Sequence, residues 1–277
     1  MSETPDPIPP SSRPEGQWAD TIREFHVTGD GAGGDIRAVE GRQLVGPLQG
    51  FGQLWQKTYR VRLEGATVTP ARVIQAWKSD FGSFWPKRSR FHAPLAGITP
   101  GEVALISGRL PGGVTLSTGV YVIYSDDVSF SYMNPEGHPW AGMITFSAQE
   151  DDGVTVAQVQ LFIRSYDPLT EIGMPLFGHR AEDNMWLHTL RAVADHFGVA
   201  EPEVAKQIVC VDKKRQWKHF RNWRKSSALY PVTRPFRRRT TVTGQAATRE
   251  PMTGDRPTRE DEPAAHDGPA ADDEPTA

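Results

Sequence analysis

The chain reads as an α+β protein: a strand, a short helical segment, a long antiparallel meander and one long closing helix. Three observations predict this. Apolar and polar side chains alternate with a period of two in stretch after stretch between residues 50 and 200. The stretches are joined by Leu110-Pro111-Gly112-Gly113, Asp126-Asp127, Asn134-Pro135-Glu136-Gly137 and Asp151-Asp152-Gly153, turns too short for a crossover, so neighbours run antiparallel. Only from about Arg180 to Phe197 does the apolar spacing become that of a long helix.

In chain order, Gln53–Leu63 opens the sheet with Trp55, Tyr59, Val61 and Leu63 on one face and Gln56, Thr58, Arg60 and Arg62 on the other. Thr69-Pro70 supplies a helix cap and a proline at the first helical position, with Val73, Ile74 and Trp77 following at helical spacing. An aromatic knot, Phe81, Phe84, Trp85 and Pro86, ends this segment. Val103–Arg109 comes next, then Val114–Tyr124, in which Val114, Leu116, Val120, Val122 and Tyr124 share a face. Val128–Met133 aligns Val128, Phe130 and Tyr132, and Trp140–Ala148 turns Ile144 and Phe146 inward. Val154–Tyr166 puts Ala157, Val159, Leu161 and Ile163 on one side and Gln158, Gln160 and Arg164 on the other, which places Arg164 and Tyr166 outside the core. Asp167-Pro168 caps a short helical start. The closing helix carries Trp186, Leu187, Leu190, Val193, Ala194 and Phe197 on its apolar stripe, and Asn184, His188, Arg191 and Asp195 opposite. Glu182 and Asp183 suit its positive end, and Gly198 stops it.

The ends have a different composition. The 277 residues are 38% hydrophobic, include 23 prolines and 26 glycines, and have a mean hydropathy of -0.50, so part of the chain is expected to bury nothing. Residues 1–49 read as a flexible segment, residues 50–200 as one domain, residues 201–232 as a basic, aromatic helical extension packed on that domain, and residues 233–277 as a disordered charged tail. The net charge of -3 is a cancellation. Residues 213–239 hold eleven Lys and Arg and no acid, while residues 250–277 hold nine acidic residues against Arg256 and Arg259. The single Cys210 excludes an internal disulfide, a cysteine zinc cluster and a CxxC redox pair. No apolar run approaches the roughly 18 residues of a membrane span, and the amino terminus lacks the pattern of a signal peptide. The expectation is a cytoplasmic protein. His179, His188 and His196 lack the spacing of a helical zinc site, and GDGAGGD lacks the Lys-Ser/Thr of a phosphate loop. Neither a metal nor a cofactor is expected.

The topology over residues 50–198, with the strings GFGQLWQKTYRVRL, FGSFWP, GHPWAG and FSAQ, resembles the START-like helix-grip superfamily, the relatives of polyketide cyclases and dehydrases. The likeness is to an uncharacterised bacterial branch. The resemblance implies a curved sheet gripping the terminal helix around an apolar cavity. It fixes a place for a site and no chemistry, because the superfamily includes carriers, receptors and enzymes.

Strand parity selects the candidate residues. Trp55, Lys57, Tyr59, Trp77, Tyr132, His138 and Trp140 are expected to line a ligand site. Lys57 has the parity of Trp55 and Tyr59; either its amine reaches water at the sheet edge or it is an interior cation facing a ligand. Tyr132 points inward and its hydroxyl needs a partner. His138 shares parity with Trp140, Ile144 and Phe146, so it is either a hairpin-stabilising residue or, with Tyr132, a catalytic acid–base pair. In QIVCVDKKRQWKHFRNWRKSSALYP the aromatics Trp217, Phe220 and Trp223 recur every third residue among Lys213, Lys214, Arg215 and Arg221. They either pack back on the domain or face an anionic membrane or nucleic acid. Three functions follow: binding of a small hydrophobic molecule for carriage or sensing, a cyclase- or hydratase-like reaction through His138 and Tyr132, and surface binding through residues 213–239. Oligomeric state stays open.

Overall fold

The structure is a computed structural model that describes residues 15–27, 34–109, 115–173 and 178–229, all within one compact unit spanning Met1–Arg237. The expected tail at 233–277, the first 14 residues, the Gly-rich linker and the turn at 110–113 lie outside the described residues or largely so.

Among the described residues, nine strands form one sheet. They are β1 (Leu44–Val45), β2 (Leu54–Arg62), β3 (Ser89–His92), β4 (Val103–Arg109), β5 (Thr115–Ser125), β6 (Ser129–Pro135), β7 (Trp140–Asp151), β8 (Val154–Ser165) and β9 (Val204–Asp212). The order across the sheet is β3-β4-β5-β6-β7-β8-β2-β9, every pairing antiparallel, with β1 attached to the end of β6. The hairpin turns impose the meander from β3 to β8, and β2 closes beside β8, with Tyr59 opposite Val159.

Three α-helices accompany it among the described residues. Helix α1 (Pro70–Ser79) starts at Thr69, whose side chain accepts from Arg72 N, and Pro70 costs nothing at a position with no hydrogen bond to lose. Helix α2 (Pro168–Gly173) is capped by buried Asp167, whose Oδ1 accepts from Leu169 N and Thr170 N, each at 2.9 Å. Helix α3 (His179–His196) packs on β2 and β8 and buries Trp186, Thr189, Leu190, Val193 and Ala194. The main core joins the inward faces of β2 and β4–β8 to α1, the aromatic knot and α3. An antiparallel sheet closed on one long helix, α3, which here precedes a further edge strand, is the helix-grip arrangement, and the α+β architecture stands.

The chain departs from expectation in three places. Within residues 1–49, read as flexible, Phe25 and Val39 are folded onto the outer face of β4 and β5, where they form a second apolar cluster with Val103, Leu105 and Tyr121, and Leu44–Val45 pairs with β6. The helical extension expected at 201–232 is instead strand β9, paired along β2 from Val61↔Val204 to Leu54↔Asp212, followed by a 3-10 helix at Trp217–Lys225. β-Branched Val204, Ile208, Val209 and Val211 suit a strand, and the open edge of β2 supplies a partner. Within β5 the register shifts between Val122 and Tyr124. The bulge turns Tyr124 away from Val120 and Val122 to meet Trp18, 4.6 Å between ring centroids. No helix among the described residues is long and apolar enough to cross a membrane.

Candidate functional site

Two polar features are built into the interior between sheet and α3. The first joins β2 to the start of α3. Lys57 is fully buried, and its Nζ donates to Glu182 Oε2 at 2.5 Å and to Asp183 Oδ1 at 3.4 Å. Tyr59 Oη donates to Asp183 Oδ1 at 2.6 Å, and Lys206 Nζ on β9 reaches Asp183 Oδ2 at 2.9 Å. The ammonium of Lys57 also lies 6.0 Å from the Trp140 ring, and His179 meets Trp55 edge-on at 5.1 Å. Lysine at an inward position is tolerable only when paired, and Glu182 with Asp183 supplies that pairing. Of the two readings of Lys57, the water-reaching one is therefore corrected.

Burial disfavours a charged carboxylate, so Glu182 is raised from 4.5 to about 7 although the Lys57 ammonium opposes the shift. Burial pushes Asp183 the same way, but bonds from Tyr59 and Lys206 and the charge of Lys57 outweigh it and hold the acid low. Two adjacent acids on one helix turn are thus driven apart by their surroundings. Tyr59 is raised by burial first and then by its bond to Asp183. His179 is lowered by burial and by Lys57.

The second feature is a set of buried polar atoms with no hydrogen-bond partner among the described residues: Trp77 Nε1, Trp85 Nε1, Tyr132 Oη, Trp186 Nε1, Thr189 Oγ1 and Glu182 Oε1. The four aromatics belong to the single main core cluster. Their rings surround Phe81 and Phe146: Phe81 is 5.7 Å from both Trp85 and Tyr132, and Phe146 is 5.3 Å from Trp77 and 5.7 Å from Trp186. Glu182, Trp186 and Thr189 stand at i, i+4 and i+7, one inward stripe of α3. Five of the six atoms are donors, held in apolar surroundings.

The structure brings Lys57, Tyr59, Trp55 and Trp140 together at the head of α3, and Trp77 and Tyr132 deeper, on the aromatic cluster. It does not bring Tyr132 and His138 together. Tyr132 lies opposite Ile144 within the sheet, among Phe81, Phe91, Phe130 and Phe146, whereas His138 lies beyond the end of β6. His138 Nδ1 is 3.0 Å from Trp140 N and 3.1 Å from Trp140 O. In the neutral ring it accepts from that N–H, so this nitrogen holds the hairpin. Burial lowers His138 from 6.5 to about 4, against the Trp140 bond. Of its two readings, the hairpin-stabilising one fits the geometry.

Arg164, set aside as an outward residue, is buried on the outer face. Its Nη1 donates to Gly52 O at 2.7 Å and Lys214 O at 2.9 Å, and its Nη2 pairs with Asp212 Oδ2 at 2.8 Å. The C-terminal strap covers it. Tyr166 is likewise buried, against Val45 and Ala141. The basic segment is tied down at its edges but keeps its aromatics in solvent: Trp217, Phe220 and Trp223 are 69%, 47% and 39% exposed. Of the domain's rings, Phe51 meets Trp217 and Phe220 edge-on at 5.3 and 6.3 Å, so the expected packing of the aromatics on the domain is partial. Among the described residues, no group of three or more His, Cys, Asp or Glu is arranged to hold a metal ion.

Sequence reasoning missed Glu182 and Thr189 as interior groups. The signal was present: residues 182, 186, 189, 190 and 193 form the buried stripe of α3, so its two polar members fall at core positions.

No protein-family model and no curated protein matches the chain. Among solved structures it is similar to KanY, at 9% identity over 53% of this chain and 99% of that one, with a TM-score of 0.42. It is similar to the di-domain ARO/CYC StfQ from the steffimycin biosynthetic pathway, at 11% identity over 52% of this chain and 50% of that one, with a TM-score of 0.39. Protein Ms6760 from Mycobacterium smegmatis is similar at 14% identity over 52% of this chain and 90% of that one, with a TM-score of 0.38. By its own strand order and its sheet-to-α3 core, the chain has a helix-grip fold.

Proposed function

We propose that the protein binds, in the cytoplasm, a small and largely apolar molecule that carries hydrogen-bond acceptors, held between the sheet and α3. One observation carries this reading: five buried donors, on Trp77, Trp85, Tyr132, Trp186 and Thr189, have no protein acceptor among the described residues. Each unpaired buried donor costs about 1–3 kcal/mol, and together they would consume a large part of the roughly 5–15 kcal/mol that stabilises a domain. A guest with oxygen acceptors recovers that cost, and the surrounding rings supply apolar contact. Lys57 and Glu182 orient its polar end.

The test uses 8-anilinonaphthalene-1-sulfonate, an apolar probe with sulfonate acceptors, alongside native mass spectrometry of the purified protein. Saturable enhancement of the probe's emission is expected, competed by whatever molecule copurifies. Tyr132→Phe, which deletes one unpaired hydroxyl, is expected to weaken probe binding about tenfold while leaving the free protein as stable or slightly more stable. No saturable binding, or a Tyr132→Phe variant that loses stability without losing affinity, would remove the proposal.

A second reading, surface binding through residues 213–239, is favoured by the solvent exposure of Trp217, Phe220 and Trp223 beside seven Lys and Arg in residues 213–225.

A further inference from the structure

The exposed aromatic rings are part of a larger apolar face. The 3-10 helix Trp217–Lys225 lies against α2, and Arg215 Nε pairs with Glu171 Oε1 of that helix at 3.0 Å. Asn222 Nδ2 donates to Gln49 O at 2.9 Å and to Tyr166 O at 2.8 Å. These bonds place the short turn at 47–49, helix α2 and the 3-10 helix side by side. Each contributes large apolar side chains that solvent reaches: Leu48 from the turn, Leu169 and Ile172 from α2, and Trp217, Phe220 and Trp223 from the 3-10 helix. On a 3-10 helix, residues three apart eclipse one another, so the three rings form a stripe, and Trp217 stacks on Phe220 with 6.1 Å between centroids and planes 19° apart. Lys213, Lys214, Lys218 and Arg221 are exposed beside the stripe, and residues 213–225 contain no acid.

We propose that this face docks on an anionic phospholipid bilayer. The proposal rests on the reading of residues 213–239 as a binding surface and names its partner. An apolar patch of this kind is uncommon on a free surface. Indole rings and aliphatic side chains side by side, rimmed by basic residues, match the boundary between headgroups and acyl chains. Nucleic acid would use the basic residues and the flat rings but gains nothing from Leu48, Leu169 and Ile172. A second copy of the chain would set two basic rims against each other. The acidic stretch at 250–277 matches the charge, but Met252 is its only large apolar residue, so its composition offers no complement to the apolar stripe.

The experiment is flotation of the full chain with vesicles of phosphatidylcholine alone or with about one third phosphatidylglycerol, beside fluorescence anisotropy with single- and double-stranded oligonucleotides. We expect binding to the anionic vesicles, little to the neutral ones, and weakening with salt. Leu169→Ser with Ile172→Ser should cut partitioning at least tenfold. Lys218→Glu with Arg221→Glu should cut it more than tenfold, at about fivefold or more per basic residue reversed. All four residues are exposed, so unchanged melting temperatures identify a loss of docking and not of folding. Oligonucleotide binding without vesicle binding would overturn the bilayer and leave the surface reading standing. Binding to neither would overturn both. Vesicle binding indifferent to both double variants would overturn the assignment of this face.

Discussion

At the scale of single residues, two buried titratable groups make opposite demands on pH. Glu182 is raised from 4.5 to about 7, so between those values the folded protein holds a proton that the unfolded chain has released, and stability falls as pH rises. His138 is lowered from 6.5 to about 4, so in that window the unfolded chain holds the extra proton, and stability rises with pH. Each shift corresponds to about 3 kcal/mol across its window. In the overlap they offset one another. We therefore expect wild type to lose stability relative to Glu182→Gln as pH rises from about 4.5 to 7, and to gain it relative to His138→Asn from about 4 to 6.5, measured by urea unfolding. Parallel profiles for all three proteins would contradict the assignment. The parity of Lys57 was legible in the sequence, because strand alternation dictates it. Its partner was not: Glu182 is 125 residues away, and acids in a first helical turn already have a local explanation in the helix dipole.

At the scale of elements, turn chemistry and period specified β2, β5–β8, α1 and α3 well, because local signals agreed with burial there. They failed where the decisive contact is distant. β9 depends on the open edge of β2, and the β5 bulge depends on Trp18. One strand interior hides a backbone requirement. Gly142, the third residue of β7, sits at φ +143, and a Cβ there would collide with Phe162 O on the paired strand β8. Backbone cannot yield as a side-chain tip can. Gly142→Ala is expected to cost more than about 3 kcal/mol, read as a large drop in melting temperature or loss of soluble protein. A near-wild-type melting curve would show that β7 and β8 separate there at little cost.

At the scale of the molecule, the low hydropathy suggested a core domain between flexible ends, and the contact pattern modifies that at both ends. Phe25 and Val39, outside the expected domain, are fully buried on the back of β4 and β5. Period alone could not reveal this, since the segment covers a second sheet face without forming long regular elements of its own. Removing residues 1–43 is expected to destabilise the protein by several kcal/mol, at about 1.5–3 kcal/mol for each large side chain uncovered, and to cause aggregation visible in light scattering. A truncated chain that stays monomeric with an unchanged melting temperature would show that the outer face needs no cover. The candidate site was half legible: its aromatic walls follow from parity, while its unpaired donors emerge only from the packing of α3. The placement of the eight tryptophans has an optical consequence. Trp77, Trp85, Trp140 and Trp186 are buried, whereas Trp18, Trp217 and Trp223 face solvent, so in a Trp18→Phe background the intrinsic emission is a sum of a blue, shielded band and a red, accessible one from the docking face. Iodide should quench the second and spare the first, brominated acyl chains should darken it only on docking, and a guest in the interior should change the shielded band alone, so that one cuvette separates the two proposed activities.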